Sequence, residues 1–428
     1  MSESLERVAG PSAEPPVEAS ADGPIDRAAC RPVDPAGPPS EPFAEPFALA
    51  AFLARWTGTA RHELAASDSQ SLPLSDLLAM AEPDDRARWE GLGLGYPDPR
   101  GAPWLRAAIA ARHAGLCAED VVACAGAQEA VACVTRALLG PGDHAVVVLP
   151  IYTPSERAVT DLCPATGVPL DGGAGWRLDL DRVAAAVRPN TRLVLANFPN
   201  SPTGAGIGEA DLAALVALCR RRGLWLVNDE VYRQTDCAPD GLPPPVADVY
   251  ERGVSINGLS KGFGLPGLRV GWAACRDRGL IAATLRTKSL LSSCLSGTSE
   301  VLARIAIRSE TRILGRTRAI GRANHRRLRA LIARRPDLFE PDAPRNLAFA
   351  YPRYRGPGGA DGLAQRLAQE AGLLVLPASL WRSGLASLPA DRVRIGLGQA
   401  GAAAALEALE AALESPSVAG GRRMPSVA

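Results

Sequence analysis

Apolar and polar residues follow two different patterns between residues 101 and 260. Short apolar runs have the length and composition of buried strands, namely HAVVVLP (144–150), TRLVLANFP (191–199), LWLVNDE (224–230) and GVSINGLS (253–260). Between them lie longer segments with apolar residues at helical spacing, namely LRAAIAARHAGL (105–116), GAQEAVACVTRALLG (126–140) and DLAALVALCRRRG (211–223). The pattern predicts strands and helices in strict alternation.

Strict alternation of strand and helix is typical of an α/β protein with a mostly parallel central sheet that helices cover on both faces. In such sheets, ligands bind in the turns that follow the carboxyl ends of the strands. We therefore expect functional residues directly after the predicted strands.

A different pattern begins near residue 299. Residues 299–335 predict one long arginine-rich helix, which short strands and a final helix rich in Ala, Leu and Glu follow. We expect a large domain over residues 96–298 and a smaller α+β domain built from residues 46–95 and 299–415. Residues 1–45 are dominated by Pro, Ala, Glu and Ser, so we expect a disordered leader, and residues 416–428 predict a similar tail.

Composition narrows the class of partner. The formal net charge of +1 argues against nucleic acid or a membrane surface, and the arginine-rich helix, which lacks interleaved aromatic residues, is interpreted as a solvated face. No stretch approaches the roughly 18 to 20 apolar residues of a membrane span. The nine cysteines form no C-x-x-C pair and the four histidines show no metal spacing. We expect a cytoplasmic protein that binds a small molecule and no metal.

A carboxylate pair follows the predicted strand 224–230. Asp229 and Glu230 come directly after an apolar run, so one of them is expected to act at the active edge of the sheet. A buried Asp229 would need a cation to stay ionised, and a pyridinium nitrogen is such a cation. Tyr232 follows closely enough to point its hydroxyl into the same pocket. Taken alone, the segment is also compatible with an exposed acidic turn.

The chain has only two lysines, Lys261 and Lys288. Lys261 lies in GLSKGFGLPGLRVGW (258–272), among glycines and apolar residues that can desolvate its amine and make it available for Schiff-base formation. Arg269, eight residues on, supplies a fixed cation suited to a phosphate. Lys288 lies in a helical segment without such glycines and is the poorer candidate.

A third segment predicts a phosphate cradle. Gly126, Ala127 and Gln128 open a helix directly after the strand VVACA, so free backbone N–H groups and the helix dipole face an anion. An ordinary turn between strand and helix is the alternative for this segment alone.

Together these segments resemble the class I and II aminotransferases of the fold-type I pyridoxal-phosphate enzymes, over roughly residues 60–410. The specific part is S-K-x-x-G-L-P-G-L-R-V-G-W, which resembles the family signature. The resemblance implies the cofactor pyridoxal 5'-phosphate, bound as an internal Schiff base on Lys261. It also implies that Asp229 pairs with the pyridine nitrogen and that Tyr232 hydrogen-bonds the phenolic oxygen.

The same resemblance assigns five further positions. Ser260 and Arg269 would lie near the phosphate, and Tyr152, in LPIYTP, would stack on the ring. Tyr96, in LGYPDPRG, would reach the phosphate of a neighbouring subunit, which implies a homodimer. Arg394, in RVRIGLG, would bind the α-carboxylate of the substrate. The implied reaction moves an amino group between an L-amino acid and a 2-oxo acid.

Two positions depart from the family pattern. Ser201 occupies the position of the usual Asn in N-P-T-G, and Gly258 stands where many members carry a phosphate-binding serine. RHELAASDSQSLPLSDLLA (61–79) and NFPNSPTG (197–204) also resemble capreomycidine synthase and related enzymes of arginine-derived amino acids. Elimination with ring closure, or oxidation, is therefore an alternative outcome of the same chemistry. A non-catalytic pyridoxal-binding regulator is a more remote alternative, because residues 1–45 are too short and too proline-rich for a helix-turn-helix domain.

Overall fold

A computed structural model describes residues 47–56, 58–237, 241–340 and 346–415. The predicted leader and tail lie outside these described residues. The boundaries predicted after residues 95 and 298 stay predictions.

The described ranges contain the following elements. The α-helices are α1 (Ala48–Trp56), α2 (Leu74–Leu78), α3 (Pro83–Glu90), α4 (Pro103–Ala110), α5 (Ala127–Leu138), α6 (Thr153–Thr160), α7 (Leu180–Ala186), α8 (Glu209–Arg222), α9 (Val246–Val249), α10 (Arg278–Ser289), α11 (Gly297–Arg308), α12 (Glu310–Arg334), α13 (Gly359–Arg366) and α14 (Ala402–Glu414). The strands are β1 (His62–Glu63), β2 (Val121–Cys124), β3 (His144–Leu149), β4 (Ala165–Pro169), β5 (Thr191–Asn197), β6 (Trp225–Asp229), β7 (Gly253–Gly258), β8 (Gly271–Ala274), β9 (Phe339–Glu340), β10 (Phe349–Ala350), β11 (Arg353–Tyr354), β12 (Leu373–Leu374), β13 (Leu376–Pro377) and β14 (Val393–Gly396).

A seven-stranded sheet forms the centre of the molecule, in the order β2-β8-β7-β6-β5-β3-β4. Neighbouring strands are parallel except where β8 pairs with β2 and β7. The residues of β3 and β7 are all buried, as expected for strands covered on both faces. The mostly parallel α/β sheet predicted from the sequence is confirmed.

Apolar clusters on the two faces of this sheet hold the helices against it. One cluster joins α5 and α10 to the sheet through Val131, Val134 and Ile281. Another joins α8 to the opposite face through Leu212 and Leu215. Because both faces are covered, the sheet is rigid and its strand ends are fixed relative to one another.

The N- and C-terminal parts of the chain pair with each other. The strand β1 lies parallel to β12, and β10, β14 and β13 form a separate antiparallel sheet. An apolar cluster that includes Leu64, Leu328 and Leu406 packs beneath these strands. This arrangement agrees with a smaller α+β part built from both terminal regions.

The single long helix predicted for residues 299–335 is wrong, because α11 ends at Arg308 and α12 begins at Glu310. The backbone of Ser309 leaves helical geometry at φ −94° and ψ 15°. Immediately after this break, Arg112 binds the carboxylate of Glu310 with two donors, a tertiary contact that local periodicity does not encode.

Most arginines of α12 are exposed, as predicted for a solvated face, and some arginines of these two helices also form tertiary contacts. Arg304 and Arg308 form ion pairs with Asp84 and Asp85 of α3, and Arg316 donates to main-chain oxygens of the N-terminal segment. No helix in the described part of the chain is long and apolar enough to cross a membrane.

Candidate active site

Glu230, the second carboxylate at the end of β6, accepts several hydrogen bonds. Its Oε1 accepts hydrogen bonds from the Val246 N–H at 3.0 Å, the Ser255 hydroxyl at 3.0 Å and the Asn228 amide at 3.3 Å. A buried carboxylate with this many partners has a structural explanation.

Asp229, the last residue of β6, is also buried but has fewer partners. Its Oδ1 accepts one hydrogen bond, from the Val231 N–H at 3.2 Å. Burial raises the pKa of Asp229 to about 7, although that N–H and the positive charge of Lys261 act in the opposite direction. The carboxyl group therefore has room for an additional cationic partner, and this distinguishes Asp229 from Glu230.

Lys261 lies in the loop after β7 and points toward Asp229's end of the sheet. Its Nζ donates to the Ser67 hydroxyl at 3.2 Å and lies 5.7 Å from the centre of the Tyr232 ring. The side chain is half-buried. A Cβ atom at Gly264, where φ is +67°, would lie 2.6 Å from the main-chain oxygens of residues 69 and 70, so the glycine lets the N-terminal segment cross the lysine loop.

The predicted phosphate cradle brings the start of α5 against Arg269. At Gly126, where φ is +98°, a Cβ atom would lie 2.5 Å from Nη2 of Arg269. At Gly271 a Cβ would lie 2.3 Å from the main-chain nitrogen of Ala127. These two glycines therefore allow a guanidinium and the amino-terminal end of a helix to meet, an arrangement that favours an anion.

Arg394, on β14, is buried and holds spare donors. Its Nη2 donates to the main-chain oxygen of Ala65 at 2.9 Å, and its Nη1 donates to the Ser201 hydroxyl at 3.4 Å. Its Nε is buried and has no acceptor within the described residues. The guanidinium carbon lies 4.7 Å from the centre of the Trp381 ring and 5.5 Å from that of Phe349. Burial lowers the pKa of Arg394, and a carboxylate partner would offset this loss of solvation.

These groups are linked by aromatic packing. Tyr232 and Phe349 lie edge to face with ring centres 5.1 Å apart, and Ala127 packs against the same cluster. A continuous path of contacts thus runs from Lys261 through Tyr232 and Phe349 to Arg394.

The other residues predicted for the site lie farther from the groups around Lys261 and Arg394. Gln128 accepts a hydrogen bond from the Ser155 hydroxyl, and Ser260 is half-buried. Tyr152 is 42% exposed, yet its hydroxyl is close enough to influence the pKa of Arg394. Tyr96 is 95% exposed, so this chain alone gives its side chain little contact.

The structure gives a reason for one departure from the family pattern. A Cβ atom at Gly258 would lie 2.9 Å from the main-chain oxygen of Val270 and 3.1 Å from the Cα of Gly271. A serine would therefore fit at residue 258 only if the adjacent strand β8 moved. At the other departure, Ser201 is held by its N–H, which donates to Asn197 Oδ1 at 2.9 Å.

The sequence prediction missed four residues of this region: Ser67, Asn197, Phe349 and Trp381. Asn197 ends β5, and its Nδ2 donates to the main-chain oxygen of Asp229 at 2.7 Å. The position of Asn197 at the end of a parallel strand was a usable signal. The other three contact Lys261 or Arg394 only through folding of distant segments, so no local pattern indicated them.

Comparison with known proteins agrees with this geometry. Residues 67–413 match the family described as aminotransferase class I and II. The chain belongs to the class I and II aminotransferases. The sequence prediction of this family is therefore confirmed.

Individual relatives of this aminotransferase chain include enzymes that are named for different activities. The arginine–pyruvate transaminase of Pseudomonas aeruginosa is 33% identical over 71% of this chain and 77% of its own length. The capreomycidine synthase of Streptomyces vinaceus is 32% identical over 68% of this chain and 73% of its own length.

Solved structures give the same fold. A pyridoxal-phosphate-dependent aminotransferase from Streptococcus suis superposes with a TM-score of 0.79 at 25% identity, covering 86% of this chain and 97% of the other. A pyridoxal-phosphate-dependent cyclase superposes with a TM-score of 0.77 at 28% identity, covering 87% and 98%. The family thus implies pyridoxal phosphate as cofactor.

The residues present fit that cofactor. The buried carboxyl of Asp229 has few donors and suits a protonated ring nitrogen. The cradle of Gly126 and Arg269 suits a phosphate, and the half-buried amine of Lys261 lies near Asp229.

Proposed function

We propose that this aminotransferase family member moves an amino group between an L-amino acid and a 2-oxo acid, with pyridoxal phosphate carried on Lys261. The supporting observation is that three polar groups with few hydrogen-bond partners occur in one region. Among the described residues, Lys261 has a single hydroxyl partner, Asp229 has a single N–H donor on its carboxylate, and Arg394 has a buried Nε without an acceptor. Buried polar groups normally have partners, so such a concentration favours a ligand site.

In this proposal the residues at the strand ends hold the cofactor. Asp229 would pair with the pyridine nitrogen, and Arg269 would bind the phosphate with the N–H groups that begin α5 at Gly126, Ala127 and Gln128. Tyr152 would cover the ring, and Tyr232 and Ser201 would lie near its phenolic oxygen. When bound, pyridoxal phosphate supplies a carbonyl carbon that condenses with amines and a ring that accepts the electrons of a broken Cα–H bond.

Lys261 would carry the proton. As a free amine, its Nζ would take the proton from the substrate Cα as a general base. The Ser67 hydroxyl accepts a hydrogen bond from Nζ at 3.2 Å, and this contact would orient the amine. Asp229, ionised beside a cationic ring nitrogen, would stabilise the charge that develops.

Arg394 would orient the substrate. A guanidinium binds a carboxylate through two parallel hydrogen bonds, and the unpaired Nε with its neighbouring Nη supplies one such pair. The neighbouring Trp381 and Phe349 rings would restrict the guanidinium, so the Cα of a bound amino acid would be held in one position.

Absorbance measurement during a half-reaction tests the proposal. The protein loaded with pyridoxal phosphate is mixed with each amino acid in turn, and the visible band of the bound cofactor and the release of a 2-oxo acid are followed. We expect a donor that releases one 2-oxo acid per site and shifts the band, and we expect addition of a second 2-oxo acid to restore it. The proposal would be refuted if no amino acid released a 2-oxo acid.

A second candidate function is elimination with ring closure, or oxidation, on an arginine-derived amino acid. The similarity to capreomycidine synthase and to the solved cyclase favours it. Ser201 and Gly258 also favour it, because they stand where many aminotransferases carry Asn and Ser. Product analysis separates the two candidates, because a cyclised or oxidised product appears without conversion of the cofactor to its amine form.

We also propose that the protein is a homodimer that works in the cytoplasm on free amino acids. Large apolar side chains are exposed at Leu94, Tyr96 and Leu290, with 92%, 95% and 82% of their surfaces accessible. A second copy of the chain that covered these side chains would remove their apolar surface from water. Sedimentation of the unmodified protein against Leu290→Glu tests this, with a shift toward monomer expected in the variant.

A further inference from the structure

An apolar cavity of about 130 Å³ lies beside the Arg394 end of the site. Phe47, which precedes α1, and Leu49 and Leu53 of α1 form one wall, and Leu380 and Trp381 form the opposite wall. The same helix packs its Leu49 and Leu53 against Leu380 and Trp381 in an apolar cluster, so its position over the cavity is built into the fold.

The cavity adjoins the groups that would bind the substrate. Trp381 lines it and also lies 4.7 Å from the Arg394 guanidinium carbon, and Tyr152, which would cover the cofactor ring, forms part of its rim. An amino acid with its carboxylate on Arg394 and its amino group toward Lys261 has one remaining heavy substituent on Cα. That substituent, the side chain, would leave the site between Tyr152 and Trp381.

The chemistry of the walls favours an uncharged side chain. Of the described residues that line the cavity, none is charged, and the hydroxyl groups of Tyr152 and Thr153 and the indole N–H of Trp381 are their polar side-chain groups. A cavity of about 130 Å³ suits a compact aliphatic side chain such as that of leucine or methionine. An arginine side chain is larger, and its guanidinium would lose its hydrogen-bond acceptors there.

Surface exposure supports a ligand at this place. Phe47 and Tyr152 each leave 42% of their surface accessible on the rim. An aliphatic group in the cavity would cover part of both rings and remove that apolar surface from water.

We propose that the amino donor of this enzyme carries an uncharged aliphatic side chain, which the cavity between α1 and Trp381 selects. The inference rests on the proposed function, because it takes Arg394 as the partner of the substrate carboxylate. Such a donor differs from the arginine after which the arginine–pyruvate transaminase relative is named. Leu53 and Trp381 are then the residues that determine specificity.

Calorimetric titration of the pyridoxal-phosphate-loaded protein with two carboxylic acids tests this inference. 4-Methylpentanoate and 5-guanidinopentanoate carry the same carboxylate and lack an amino group, so they bind without reacting. We expect 4-methylpentanoate to bind at least about tenfold more tightly. Leu53→Ala should weaken 4-methylpentanoate by about tenfold, and Leu53→Glu should in addition strengthen 5-guanidinopentanoate.

Ala51→Glu is the matched control, because Ala51 is exposed on the same helix and lies outside the cavity wall. This control should keep the preference of the unmodified protein. Tighter binding of 5-guanidinopentanoate to the unmodified protein, or the same changes in Ala51→Glu as in Leu53→Glu, would overturn the inference. Failure of the proposed function is separate, because it would show as the absence of any 2-oxo acid product, whatever the order of these two affinities.

Discussion

The two lysines of the chain lie in regions that differ in how fully their polar groups are paired. Lys288, on α10, is completely buried, and its Nζ donates to the main-chain oxygens of Pro99 at 2.6 Å and Ser293 at 2.9 Å. Lys261 is half-buried, and its Nζ donates to one hydroxyl, that of Ser67, at 3.2 Å. Burial is therefore not what distinguishes the candidate catalytic lysine.

The carboxylates near the two lysines also differ in how fully they are paired. Near Lys288, buried Glu300 accepts a hydrogen bond from the Ala102 N–H at 3.1 Å and gains a favourable charge interaction with the lysine. Near Lys261, Asp229 is buried with a pKa raised to about 7. An unpaired buried polar group costs about 1 to 3 kcal/mol, so a fold tolerates several together where a ligand completes them.

The largest expected effect is that of Lys261→Ala. The variant should lose the visible absorbance of protein-bound pyridoxal phosphate, and its turnover should fall by at least about 10³-fold, because the amine that binds the cofactor and moves the proton is gone. Absorbance spectra and single-turnover product release measure this. Lys288→Met is the comparison variant and should keep the band. A reversed pattern would make Lys288 the cofactor lysine and would refute the assignment.

Asp229→Asn tests the incomplete pairing around Lys261 through the pH dependence of the free energy of unfolding. In protein freed of cofactor, burial raises the pKa of Asp229 to about 7 from an ordinary value of 3.8, so the folded state binds the proton more tightly than the unfolded chain. Its contribution to the free energy of unfolding is full below pH about 4 and is lost as the pH rises to about 7, a change of the order of 4 kcal/mol. Urea unfolding between these pH values should show that this loss is absent in Asp229→Asn. Parallel pH profiles for the two proteins would contradict the raised pKa.

Arg394→Lys extends the comparison to a third buried cation. A lysine cannot form the paired hydrogen bonds of a guanidinium, so kcat/KM for the best amino donor should fall roughly 10- to 150-fold, mainly through KM. Steady-state kinetics measure the loss. Arg392→Lys, two residues earlier and stacked on Trp176 instead, is the matched control and should change kcat/KM far less. Equal losses in both variants would indicate a general effect of the strand.

The smallest effect is expected for Lys288→Met. The main-chain oxygens of Pro99 and Ser293 would lose their buried donor, so the free energy of unfolding should fall by about 1 to 3 kcal/mol. Urea unfolding of the cofactor-loaded protein measures this fall, and the visible spectrum at neutral pH should stay unchanged. Retained stability together with a lost cofactor band would show that the two regions do not differ as described.

Much of the fold could be predicted because its signals are local. Apolar runs and helical spacing predicted β3, β5, β6 and β7 and the helices α4, α5 and α8 between or before them. The same patterns failed at Ser309, where the predicted long helix divides, because the contact of Arg112 with Glu310 joins residues 198 positions apart.

The sequence by itself determined the α/β class, the family and the positions of Asp229, Lys261 and the Gly126 turn, because parallel strands bring the turns after them to one edge. Only the tertiary structure decided which polar groups there are paired. Glu230 and Lys288 acquire their partners, and Asp229, Lys261 and Arg394 keep free capacity, through contacts with distant residues such as Ser67, 194 positions from Lys261. Burial and hydrogen-bond partners are properties of the packed chain, so the resemblance to the family could assign Asp229, but no local pattern could show how differently the two acids at the end of β6 are paired.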